Sequence, residues 1–97
     1  MTRFPLTVKF IHDIQTDLQS SLTERPLYPQ LFAGLIQQVG ELSGALVMNT
    51  KEPNLVGFNE IYLEAVRVAV MALRLATEGD AAFPYNPAEV TANLEGV

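Results

Sequence analysis

Apolar residues along this chain recur at helical rather than strand spacing. Phe10, Ile14 and Leu18 stand four apart, with Ile11 and Leu22 beside them, and predict an amphipathic helix over residues 6–22. Pro26 and Pro29 follow. Each removes a backbone donor and disfavours helix at the residue before it, so a connection belongs there. Phe32, Leu35, Val39, Leu42 and Leu46 then alternate at steps of three and four. That pattern predicts a second helix over residues 29–48 with a coiled-coil-like seam.

Gly34, Gly40 and Gly44 fall inside this second helix, where each costs about 1 kcal/mol relative to alanine. Close approach of another helix, or room for a ligand beside Gln38 and Glu41, would account for them. Residues 49–57 read as a loop. A third helix is expected over residues 59–78, with Asn59 as its cap and Gly79 as its left-handed stop. From residue 65 to 76 it is apolar on nearly every side except at Arg67 and Arg74. A helix apolar all round is buried on several faces, and three or four helices of one chain cannot surround it. Asn86-Pro87-Ala88-Glu89 has the signature of a helix start and predicts a short terminal helix to about residue 94. The fold class expected is all-α: one domain over residues 1–97, three main helices plus a short C-terminal one, completed by oligomerisation as a homodimer or a dimer of dimers.

Composition sharpens the oligomeric expectation. Of the 97 residues, 48% are apolar and only 18% charged, more apolar than a small monomer needs given its surface-to-volume ratio. The net charge of −5 and the lack of any Lys/Arg patch argue against nucleic acid and against an anionic membrane as partners. There are no cysteines, so neither a disulfide framework nor a thiolate metal site is available. The N-terminal residues lack the long apolar core of a signal peptide, and the run from Val68 to Leu73 is too short to span a bilayer. A soluble, cytoplasmic protein is the expectation.

The chemistry-bearing residues lie on the second and third helices. Gln38 and Glu41 stand at i and i+3; Glu60, Glu64 and Arg67 follow at i, i+4 and i+7 and share a face. Carboxylates on facing helices can hold magnesium, which prefers hard oxygen ligands and keeps waters for bridging to phosphate. Elsewhere the residues read more simply. His12 flanks the apolar stripe of the first helix, and Arg74 and Glu78 read as a surface pair. Phe83 and Tyr85 are expected to pack against helix ends rather than to stack on a base.

These two helices resemble the MazG-like branch of the all-α nucleoside triphosphate pyrophosphohydrolases. That family carries Glu-Glu-x-x-Glu on one helix and Glu-x-x-Asp on the next. Here the first motif falls on Gln37-Gln38-Val39-Gly40-Glu41 and the second on Glu64-Ala65-Val66-Arg67, within a resemblance covering residues 30–80. The resemblance implies a hydrolase that cleaves a nucleoside triphosphate to the monophosphate and pyrophosphate with Mg2+, and it implies metal ligands at positions 38, 41, 64 and 67. Only Glu41 and Glu64 remain acidic there. Gln38 keeps a carbonyl oxygen without the charge, and Arg67 places a fixed cation where a ligand should be. Such charges a few ångströms apart interact by about 4 kcal/mol at an effective dielectric near 20.

Two functional expectations follow. In one, Glu41, Glu60 and Glu64 form a displaced three-carboxylate metal site, and Arg67 grips a phosphate of the triphosphate with its planar fork. In the other, activity is reduced or lost: Arg67 pairs with Glu41 or Glu64 in place of the metal, Glu60 is a first-turn acid favoured by the helix dipole, and the chain is a nucleotide-binding or protein-interaction module of the same fold.

Overall fold

In the computed structural model, residues 3–26, 30–80 and 87–90 are described. Among them the chain is all-helical, with α1 over Arg3–Glu24, α2 over Leu31–Lys51 and α3 over Phe58–Glu78. Residues 87–90 form a short fourth helical segment. The expected end of that segment at residue 94, and the expected packing of Phe83 and Tyr85, lie outside the described residues.

Helix α3 is the centre of the fold. Both α1 and α2 pack on it, and they do not pack on each other. Tyr62 meets Asp13 near the start of α3, and Arg74 meets Ser21 near its end, so α1 and α3 run parallel. Phe32 meets Asp80, and Asn49 Nδ2 donates to the Val56 carbonyl at 2.6 Å, so α2 runs antiparallel to α3. The order is up, down, up, as the hairpin spacing requires. With only one helix on each flank, the chain is extended: its radius of gyration is 15.8 Å, against about 13 Å for a compact chain of this length.

The core is correspondingly thin. Among the described residues, Leu31, Val66, Val70 and Met71 are its buried apolar side chains. The seam expected along α2 is split in two: Leu35 and Leu42 are half-buried, whereas Phe32, Val39 and Leu46 are exposed. At about 100° per residue the five positions spread over about 80° of the helix surface. Helix α3 packs at the Leu35–Leu42 edge of that stripe, beside the buried Leu31 and Gly34, which leaves the other edge exposed.

Helix ends explain the boundaries. Gly57, not Asn59, precedes α3, and the Glu60 carboxylate reaches back to accept the Gly57 backbone N–H at 2.9 Å. This is the reciprocal half of a capping box. At the other end Gly79 has φ of 81°, a backbone region that favours glycine. Gln30 makes no side-chain cap for α2; the Asp80 carboxylate accepts the Phe32 backbone N–H at 2.6 Å instead. Arg74 is not on the surface as the sequence suggested. It is 0% exposed, with Nε and Nη2 donating to Glu78 at 2.6 and 2.9 Å and Nη1 donating to Ser21 Oγ at 3.0 Å. Long-range anchoring to α1 pulls it inward, and its guanidinium supplies enough donors to satisfy both neighbours.

Candidate functional site

The side chains singled out by the family resemblance lie on one side of the layer. Arg67 Nη1 stands 2.6 Å from Glu64 Oε1, one helical turn away. Glu64 is mostly shielded, and Arg67 is half exposed. The second carboxylate oxygen of Glu64, Oε2, is buried without a hydrogen-bond partner, and so is Gln38 Oε1. Gln38 and Glu64 therefore each turn a polar atom into the packed interior, and Arg67 takes Glu64 as its partner.

The other two acids are placed differently. Glu41 is exposed and does not pair with Arg67; of the two partners expected for that arginine, the structure has Glu64. Glu60 is exposed, and its carboxylate is committed to the Gly57 backbone N–H.

A cleft of about 300 Å³ opens beside these groups. Arg67, Val70 and Met71 form its α3 side, Gln38 closes it from α2, and Asp17, Ser20 and Glu24 are among the α1 residues that border it. It is the gap left because α1 and α2 flank α3 without meeting. Sequence reasoning missed the α1 wall. The polar spacing Asp13, Asp17, Ser20, Ser21, Glu24 was available in the sequence, but it reads as an ordinary solvated face until α1 is known to lie beside the motif residues.

A second polar cluster joins α1 to α3. Lys9 Nζ lies 2.6 Å from Asp13 Oδ2, and the Tyr62 hydroxyl donates to the same oxygen at 2.6 Å. Lys9 also sits 4.7 Å from the Tyr62 ring centroid, and Phe10 meets that ring edge-on at 5.4 Å. The Lys9 hydrogen bond, followed by that of Tyr62, holds the Asp13 carboxyl below the ordinary aspartate range. Burial, then its bond to Asp13, pushes the Tyr62 phenol up, and the Asp13 bond raises Lys9. His12, on the same helix, is exposed.

Magnesium fits this donor set poorly. A hard cation needs several convergent oxygens carrying net negative charge. The buried acceptors here are one neutral amide oxygen and one oxygen of a carboxylate already neutralised by Arg67. Among the described residues, no group of three His, Cys, Asp or Glu side chains converges in a way that could hold a metal ion.

No family model, curated protein or solved structure matches the chain. By length and composition alone, α2 is long and apolar enough to cross a membrane, its most apolar 18-residue stretch having mean hydropathy 1.3. The apolar run from Val68 to Leu73 had suggested no such segment. Glu41 lies at the centre of α2, and a carboxylate at mid-bilayer costs about 3 kcal/mol.

Proposed function

We propose that this chain is a non-catalytic interaction module of the MazG-like helical type, in which an internal ion pair stands where the family holds its metal. The observation that carries the reading is the 2.6 Å contact between Arg67 and Glu64. A guanidinium at that distance supplies the positive charge a magnesium ion would supply. It also raises the energy of bringing a divalent cation to the same carboxylate. Glu60 supports the reading from the other side, because using it as a ligand requires giving up the cap of α3.

The hydrolase reading, with Glu41, Glu60 and Glu64 around Mg2+ and Arg67 on a phosphate, remains the alternative to be tested against this one. It draws on the two buried acceptors without partners, Gln38 Oε1 and Glu64 Oε2, which a water or a cation would satisfy. The deciding experiment incubates the full chain with a panel of canonical and modified nucleoside triphosphates plus magnesium and follows pyrophosphate release. The interaction-module reading expects release at the uncatalysed rate with every triphosphate. Release that depends on magnesium and disappears in Glu64→Gln would establish the hydrolase instead.

A further inference from the structure

The cleft beside Arg67 holds polar groups that the fold itself does not use. Among the described residues, the Asp17 and Glu24 side chains on its α1 wall have no hydrogen-bond or ion-pair partner. Across the cleft, the buried Gln38 Oε1 also lacks one. Arg67 spends only Nη1 on Glu64, and its side chain is half exposed. A guanidinium carries five donors, so Nε and Nη2 remain for an anion. Between these groups the floor is apolar, formed by Val70 and Met71.

The heights of these groups follow from the helix contacts. Asp13 meets Tyr62 and Ser21 meets Arg74 on parallel helices, so Asp17, midway between them, stands level with Arg67. Phe32 meets Asp80 on antiparallel ones, so Gln38 stands farther along α3, within two turns of Arg67, or about 10 Å. The side chains of Arg67 and Gln38 shorten that span from both ends. One end of the cleft therefore pairs an acid with an arginine. The other end presents acceptors, with an apolar strip between.

We propose that the cleft binds a free basic α-amino acid of the arginine type. Its α-carboxylate meets the open edge of Arg67, a geometry that the planar fork suits. Its α-ammonium meets Asp17, its methylene stem lies on Val70 and Met71, and its guanidinium donates to Gln38 Oε1. Glu24 adds a second acceptor at that end, where the Arg25 guanidinium also lies but already has a contact of its own. A volume of about 300 Å³ is at the small end of ligand sites and suits one amino acid. Charges of both signs at one end select a zwitterion. A nucleoside triphosphate would bring a polyanion against two unpaired carboxylates, and a polyamine would leave Arg67 facing another cation. The floor is too enclosed for a macromolecule, with Val70 at 2% and Met71 at 8% exposure. The inference goes beyond the reading as an interaction module, and its test measures amino-acid binding rather than pyrophosphate release, so either can fail without the other.

Titration calorimetry and thermal melts of the full chain with L-arginine test it. Binding and a rise in Tm by mass action are expected. Three analogues each lack one group: agmatine the carboxylate, N-acetyl-arginine the ammonium, and norvaline the guanidinium. Each should bind at least tenfold more weakly, the loss of one charge-assisted hydrogen bond. The first two also stand for an arginine at the end of a peptide, which keeps only one of the α-groups. Asp17→Asn should weaken L-arginine at least tenfold while leaving the ligand-free Tm unchanged, because Asp17 has no partner to lose. Gln38→Leu should narrow the preference for arginine over norvaline. Glu41→Gln, exposed on α2 and outside the cleft, should bind as the natural chain does. L-arginine that neither binds nor raises Tm overturns the proposal. So does agmatine binding as tightly as arginine, or Asp17→Asn binding arginine undiminished.

Discussion

The Asp80 carboxylate, just beyond the end of α3, accepts the backbone N–H of Phe32 at the start of α2. One side chain thereby ties the start of α2 to the chain just beyond α3, two points distant in sequence. The first amide groups of a helix have no intrahelical partner, and Gln30 offers α2 no side-chain bond. Asp80 is also well buried, so water cannot readily replace it.

Asp80→Ala should therefore destabilise the protein by about 1–2 kcal/mol, the range for losing a helix cap. For a chain of this size that corresponds to a fall in Tm of about 4–8 °C per kcal/mol. Asp80→Asn keeps an acceptor oxygen and should retain most of the stability. Thermal melts followed by circular dichroism distinguish the two; equal losses would mean that the charge of Asp80 matters and the hydrogen bond does not.

Arg74 and Glu78 should respond unequally to removal. Arg74 is fully buried, whereas the Glu78 side chain reaches solvent. Glu78→Ala takes two hydrogen-bond acceptors from a buried guanidinium and should cost about 3 kcal/mol, as for one member of a buried pair. Arg74→Met leaves a carboxylate that water can reach, and it keeps an apolar stem in place. Its cost should be smaller. Urea denaturation of both variants gives the comparison, and the reverse order would show that Arg74 acts mainly through packing.

How stability varies with pH follows from the same contacts. Hydrogen bonding to Arg74 holds the Glu78 carboxyl below its ordinary range, and Lys9 does so for Asp13. A carboxyl whose folded pKa is lowered contributes fully above its unfolded value. That contribution is lost as pH falls from about 4.3 for Glu or 3.9 for Asp through the folded value, because the unfolded chain binds protons first. Tyr62 and Lys9 are raised, so their contribution is lost as pH climbs past about 10. Urea midpoints should fall on both limbs, and Asp13→Asn should make both shallower. An unchanged profile in that variant would place the acid sensitivity elsewhere.

Much of this fold can be read from residue spacing. The three long helices, the antiparallel α2–α3 hairpin and the Arg67–Glu64 contact all follow from steps of three, four and seven. What spacing cannot give is which of two neighbouring stripes faces inward. Leu35 and Leu42 turn toward α3 while Phe32, Val39 and Leu46 do not, although all five fit one heptad pattern. Nor does sequence proximity reveal Ser21 and Asp80, whose partners lie roughly fifty residues away. Arg74 reads as a surface residue because its i+4 neighbour is a complete explanation until α1 arrives beside it. Gly40 and Gly44 illustrate the same limit. No atom lies within 4 Å of where a β-carbon would sit on either, so no neighbour within the chain requires them to be glycine.

The motif positions allow the ion-pair reading to be tested by reversal. Gln38→Glu with Arg67→Asp removes the guanidinium from Glu64 and places acids at positions 38, 41, 64 and 67. Gln38 and Glu64 already present buried oxygens without partners, so two of the four ligands need little rearrangement. Without a cation, the new acids should repel one another, and the double variant should melt below the natural protein. Magnesium that binds only the folded state restores stability by mass action, by about 2.7 kcal/mol at a concentration one hundred times its Kd. The Tm of the double variant should therefore climb with magnesium while that of the natural chain stays flat. Arg67→Ala alone should show a weaker response, since it removes the competing cation without adding a ligand. A double variant whose Tm ignores magnesium would mean that these four positions do not converge, and that the Arg67–Glu64 pair is a local helix contact unrelated to any metal site.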